Sequence, residues 1–155
     1  MDINDYLIDQ AGKDWADLLS SWSEALPPSF TVWLVNRFGD IFFVSDEGAI
    51  FLLDVGNCVV ERLADSRDDF IAKIDADDNA GVWLLIPLVD QCVSEGLVLN
   101  ANQCYGYKVP PILGGKYTTQ NLEPTDLSAH YSFLGSIFDQ TKDLPDGTKI
   151  RIVVR

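Results

Sequence analysis

The stretch Asp40-Ile41-Phe42-Phe43-Val44-Ser45, followed by Asp46-Glu47-Gly48 and then Ala49-Ile50-Phe51-Leu52-Leu53-Asp54-Val55, decides the fold class. Two runs rich in β-branched and aromatic residues, parted by three turn-forming ones, read as a β-hairpin. Gly48 supplies the positive φ that suits such a turn. Gly56-Asn57 makes a second turn and Cys58 to Leu63 a third strand, so the run is an antiparallel meander. Ahead of it, Phe30 to Phe38 is apolar, and its periodicity fits a strand as well as a helical turn.

Helical signals flank the meander on both sides. Tyr6, Leu7, Ala11, Trp15, Leu18, Leu19, Trp22 and Leu26 recur at three- and four-residue spacing, which predicts an amphipathic helix over residues 1–26, packed on the domain. Pro27-Pro28 ends it. Downstream, Ser66 is placed to cap a helix from Arg67 to Ile74, with Asp68 and Asp69 at its positive end. The segment Asp75 to Gly81 reads as a loop. A second helix is expected from Ala80 to Glu95, with Pro87 near its first turn or kinking it and Gly96 closing it. Residues 100–118 hold two Pro, three Gly and three Tyr, too irregular for one element. A last helix fits Glu123 to Lys142, with Pro124 in its first turn, and Asp146-Gly147 turns into a C-terminal strand, Thr148 to Val154. The expected architecture is a single α+β domain: N-terminal helix, antiparallel β-meander in the body 27–155, further helices and a C-terminal strand.

Composition bounds the function. At 155 residues with 47% hydrophobic and 23% charged side chains, the chain is long and apolar enough to fold around one core without a metal or disulfide staple. The most apolar stretch, Val82 to Val89, is broken by Pro87 and falls short of the ~18 residues that span a bilayer. An acidic start, Met1-Asp2-Ile3-Asn4-Asp5, is unlike a signal peptide, and three cysteines without a CxxC pair point to a reduced compartment. The expected location is the cytoplasm. Formal charge is −13, and it is uneven: residues 1–100 carry 19 Asp/Glu against 5 Lys/Arg, residues 101–155 carry 5 against 6. Such a surface repels phosphate backbones, which argues against direct nucleic-acid binding, and attracts a basic partner. Solubility alone would also account for the charge.

Catalytic signatures are absent from the sequence. The one histidine, His130, stands four residues after Asp126, a spacing that fits an ordinary hydrogen-bonded pair better than a metal pair without a third ligand. Asp75-x-Asp77-x-Asn79 opens like a calcium loop, but Ala80 stands where glycine is needed and Ile86 where glutamate is needed. Cys58 and Cys92 sit in apolar company and read as buried thiols, whereas Cys104 lies in a less regular segment and could be exposed. No cofactor and no metal are expected.

The C-terminal third is more specific. It holds Cys104-Tyr105-Gly106-Tyr107-Lys108-Val109-Pro110-Pro111-Ile112-Leu113-Gly114-Gly115-Lys116-Tyr117, then Asn121-Leu122-Glu123, a helix with His130 and Gly135, and Asp143-Leu144-Pro145-Asp146-Gly147. This string resembles the C-terminal domain of the immunity proteins that protect bacteria from type VI secretion DNase effectors. Phe38-Gly39-Asp40-Ile41-Phe42, Gly48 to Asp54 and Leu63-Ala64-Asp65-Ser66 resemble the meander that precedes that domain, and are more distantly similar to Smi1-like immunity proteins. The resemblance spans residues 27–153 and implies a cytosolic, non-enzymatic inhibitor of a cognate toxin. Some members carry an extra N-terminal domain, and here the expectation is that the helix Asp2–Leu26 stands ahead of the shared part. Physically, Lys108 to Tyr117 reads first as a loop that specifies the fold and second as a contact loop.

Charge supplies the contact candidates: Asp46 and Glu47 in the hairpin turn, then Asp65, Asp68, Asp69, Asp75, Asp77 and Asp78. These would face the basic surface with which a nuclease holds DNA. An adaptor or regulator on the same scaffold is the alternative, and a hydrolase using Asp126 and His130 comes third.

Overall fold

In the computed structural model, which describes residues 2–144, the meander forms a four-stranded antiparallel sheet in chain order: β1 (Phe30–Val35), β2 (Ile41–Ser45), β3 (Ile50–Asp54) and β4 (Val59–Ala64). The segment left between strand and helix is therefore the first strand. Successive side chains of a strand point to opposite faces. Phe42, Val44, Ile50 and Leu52 enter one core cluster, and Ile41, Phe43 and Leu53 the other. Both faces of the sheet are thus covered, which is why its central strands read as unbroken apolar runs.

On the first face lie α2 (Arg67–Ile74), α3 (Asn79–Trp83) and α4 (Ile86–Ser94), with Phe70 wedged among Trp33, Phe42 and Trp83. The second face is covered by α5 (Leu127–Thr141) through Leu127, Tyr131, Leu134 and Ile137. A two-stranded sheet of β5 (Gln103–Tyr107) and β6 (Leu122–Asp126) sends Tyr105 and Tyr107 into the first cluster and Cys104 into the second. The molecule is a single α+β domain.

Several local expectations are corrected. Residues 1–26 do not form one helix; the described part contains a 3-10 turn at Ile3–Tyr6, the short α1 (Trp15–Leu18) and a 3-10 turn at Ser20–Trp22. Gly12 sits at φ +73, and the Asp9 and Asp14 carboxylates accept the Ala11 and Asp17 N–H groups, which holds the chain in turns. Ahead of Asp9 the chain runs extended, with Ile8 N–H donating to the Val35 carbonyl at 2.8 Å. Of the apolar positions in that spacing, Tyr6, Leu19 and Trp22 are buried, Leu7, Trp15, Leu18 and Leu26 half-buried and Ala11 exposed; Ile8, off the spacing, is buried as well.

The helix expected over 80–95 is two helices, broken where Leu85 turns left-handed (φ 53) and Pro87 opens α4. The last helix begins at Leu127, because Glu123 and Pro124 are drawn into β6, opposite Gly106 and Tyr105. A proline is tolerated there since the pair has only two strands, both edges. Cys58 lies in the turn before β4, with φ 56, whereas residues 100–118 are, as expected, not one element but β5 followed by a 3-10 turn at Pro111–Leu113. The strand expected at 148–154 lies outside the described residues.

Candidate functional site

Strand register decides how the acidic candidates are grouped. Val44 pairs with Ile50 and Ile50 with Ala64, so the β2–β3 turn and the β4–α2 junction leave the sheet at the same end. Asp46 and Glu47 in the turn and Asp65 and Asp68 at the start of α2 therefore share that end, and all four are exposed. Asp75, Asp77 and Asp78 follow α2, about 12 Å further on for a helix of eight residues. All three are exposed, and Asp77 and Asp78 hold left-handed backbone at φ 49 and 62. Along α2, Asp68, Ile71, Ala72 and Asp75 make an outward stripe at helical spacing, in which Ile71 is 54% exposed.

Not every candidate is free to meet a partner. Asp69 is half-buried; it accepts the Asp65 N–H at 2.9 Å and pairs with Lys73 at 3.1 Å, and these contacts, the backbone one foremost, lower its pKa. It secures the start of α2 alongside Ser66, whose hydroxyl accepts the Asp69 N–H as the sequence led one to expect. Asp65 is paired with Arg62 at 2.9 Å, and Asp46 accepts from the Ser29 hydroxyl at 2.9 Å. Glu47, Asp68 and Asp75 stand exposed along the surface. In the calcium-like segment, Asn79 turns its amide to the Lys73 carbonyl, so it braces the α2–α3 connection.

The motif residues build the frame behind this surface. His130 is buried, and its Nε2 lies 2.9 Å from the Phe38 carbonyl; since a carbonyl only accepts, Nε2 carries the proton. The neighbouring Tyr131 hydroxyl donates to the Gly39 carbonyl at 2.8 Å. Gly39 has φ +83, and a Cβ there would meet the His130 ring at 3.0 Å, so the β1–β2 turn and α5 fit only with glycine between them. Asp126, at the exposed start of α5, makes no hydrogen bond to His130, whose ring packs against Tyr107 and Tyr131.

Burial pushes the His130 pKa from 6.5 down to about 4, opposed by its bond to Phe38. Folding thus favours the neutral ring. Its contribution is whole above about pH 6.5 and is lost as pH falls toward 4. Urea titrations should lose about 3 kcal/mol from this group between neutral pH and pH 4. His130→Gln, which keeps an N–H donor, should remove that share of the pH slope; an unchanged slope would assign the acid sensitivity elsewhere.

Sequence reading missed the polar knot in the β1–β2 turn. Asn36 is fully buried; its Oδ1 accepts the Phe38 and Asp40 N–H groups, each at 3.0 Å, while its Nδ2 donates to Asp40 Oδ2 and to the Trp83 carbonyl. Asp40 also accepts the Val55 N–H. Burial and the nearby Asp54 charge push the Asp40 carboxyl well above its ordinary range, against the pull of those two donors. The signal was present as Asn36-Arg37-Phe38-Gly39-Asp40, a turn with Asn at its start and glycine near its end.

The 108–117 loop is stapled from within. Asn121 accepts the Val109 N–H and donates to the Val109 and Lys116 carbonyls, and a Cβ on Gly115 would run into the Val109 carbonyl oxygen. Ile112 N–H donates to Gly56, and Asn57 donates to the Tyr117 hydroxyl at 2.7 Å, tying the loop to the β3–β4 turn. This is the geometry of a fold-specifying loop, with Val109 and Tyr117 partly exposed on its outside. Cys104 is fully buried, as a structural thiol would be, whereas Cys58, read as buried, is half-buried. Burial raises all three thiols, Cys58 to about 12 and Cys92 to about 11, so they stay protonated at neutral pH.

Among the described residues, no helix is long and apolar enough to cross a membrane, and no three His, Cys, Asp or Glu side chains gather as a metal site. No curated protein gives a significant match to the chain. Residues 64–138, from the last residue of β4 to the final turn of α5, match the family described as T6SS immunity protein Tdi1, C-terminal. The match takes in α2, the 108–117 loop and His130, and stops short of the β2–β3 turn. Over that stretch, just under half of its length, the chain resembles the C-terminal region of the type VI secretion immunity proteins.

Proposed function

We propose that this chain is a cytoplasmic immunity protein without catalytic activity, which binds a cognate type VI effector and neutralises it by covering a basic surface. The observation that carries this reading is a coincidence in the chain: the segment matching the immunity family also holds six of the eight acidic candidates. A nuclease must be basic where it grips DNA, and exposed carboxylates on a scaffold braced by α2 are the complementary surface. Capture is then electrostatically steered, with apolar contacts such as Ile71 set among the charges.

Co-expression with the product of the neighbouring gene tests this. Cells should survive only when this chain is present, and the two proteins should co-purify as a stable complex. A neighbour that is harmless, or toxic and not rescued, overturns the proposal.

A further inference from the structure

Among the described residues, β1 is an edge strand whose outer side is only partly covered. The N-terminal segment adds itself to the second half: Leu7 bridges Asn36, Ile8 N–H donates to Val35, and the Gln10 side chain donates to the Trp33 carbonyl at 2.7 Å. Beyond Gln10 the segment turns away at Gly12. Residues Phe30, Thr31 and Val32 are left with β2 on one side and, on the other, a groove of about 660 Å³ walled by Trp15, Leu19, Leu26 and Pro27. The groove thus continues the line along which the chain already adds an extended strand to the same edge. An edge of this kind is a template for another extended backbone.

Charge selects the occupant. Exposed Asp14 and Asp17 lie on or beside α1, Glu24 follows it, and Asp46 is held at the β1 end of the groove by Ser29. Among the described residues, Lys13 donates to the Asp9 carbonyl, and Lys142 is paired with Glu24 and Asp139. A second copy of the chain would bring the same carboxylates at a formal charge of −13 and be repelled.

We infer that the outer edge of β1 at Phe30–Val32 receives an extended, apolar segment of the partner protein flanked by Lys or Arg. The inference deepens the immunity reading and rests on it. Three open residues correspond to about 10 Å of strand, so the pairing is short and the apolar walls supply much of its hold.

The test uses the full chain and the neighbouring-gene product. Ala16→Arg with Ser23→Arg fills the groove from two exposed positions that line it and puts positive charge where the basic flanks would lie. This variant should bind roughly tenfold more weakly or worse, at unchanged thermal stability. In the wild-type complex, amide exchange within 30–32 should slow, a readout that needs no substitution. Full affinity in the variant together with unprotected amides would overturn the groove assignment and leave immunity standing. No binding by the wild type would overturn both. Protection of 30–32 in the free protein would overturn the assignment, giving the edge to a second copy if it rises with concentration as the mass doubles and to the chain itself if it does not.

Discussion

Replacing Asp46, Glu47, Asp68 and Asp75 together by lysine should slow association with the neighbouring-gene product roughly a hundredfold at about 10 mM salt. All four side chains are exposed, and among the described residues only Asp46 has a side-chain partner, Ser29, so the fold should survive the change. Steering acts over a Debye length of about 30 Å at that ionic strength and about 8 Å at physiological salt. The difference between variant and wild type should therefore shrink as salt is added, with dissociation changing less than association. Asp69→Lys is the contrasting substitution. It should destabilise α2, because that carboxylate accepts the Asp65 N–H and pairs with Lys73. Stopped-flow association at several salt concentrations decides the matter; equal rates for wild type and the fourfold variant would remove these carboxylates from the interface.

Asn36→Ala should cost about 3 kcal/mol of stability, among the larger effects expected of a single substitution. The change deletes four hydrogen bonds at once and leaves the Phe38 and Asp40 N–H groups without their acceptor at a fully buried position. It also takes from Asp40 one of the two donors that hold its ionised form, and unties the turn from Trp83 at the end of α3. With a urea dependence of about 2 kcal/mol/M, the unfolding midpoint should fall by roughly 1.5 M. Asn36→Asp should be no milder, since it keeps the acceptors but sets a second carboxylate against Asp40. A loss below about 1 kcal/mol for Asn36→Ala would mean that water or a shifted backbone replaces the amide.

What could be read from the sequence was local. The hairpin around Gly48 and the helix after Ser66 form where expected, because turn residues and a cap act on their immediate neighbours. The N-terminal spacing correctly marked Leu19 and Trp22 as core, but not the backbone path, since Gly12, Asp9 and Asp14 outweigh a helical period. Pro124 shows the other limit. It suits the first turn of a helix, yet pairing with β5, some twenty residues earlier, claims it for a strand, and no short window contains that partner. The acidic candidates were visible as charge, whereas the engagement of Asp69 and the grouping of Asp46 with Asp65 arise only from tertiary contacts.

The bond from Trp22 Nε1 to the Tyr131 carbonyl, at 3.0 Å, joins two ends of the chain across 109 residues, and the Tyr131 hydroxyl reaches back to Gly39. On the ribosome, the meander is therefore made long before the helix that closes its second face. At about 5–20 residues per second, several seconds pass between the emergence of β4 and the completion of α5. For that interval Ile41, Phe43 and Leu53 face water on a sheet whose outer strand is only partly covered. On the proposed immunity reading, a cell that makes the cognate toxin must begin translating this chain early enough to cover its folding time, or shelter the half-made chain with a chaperone.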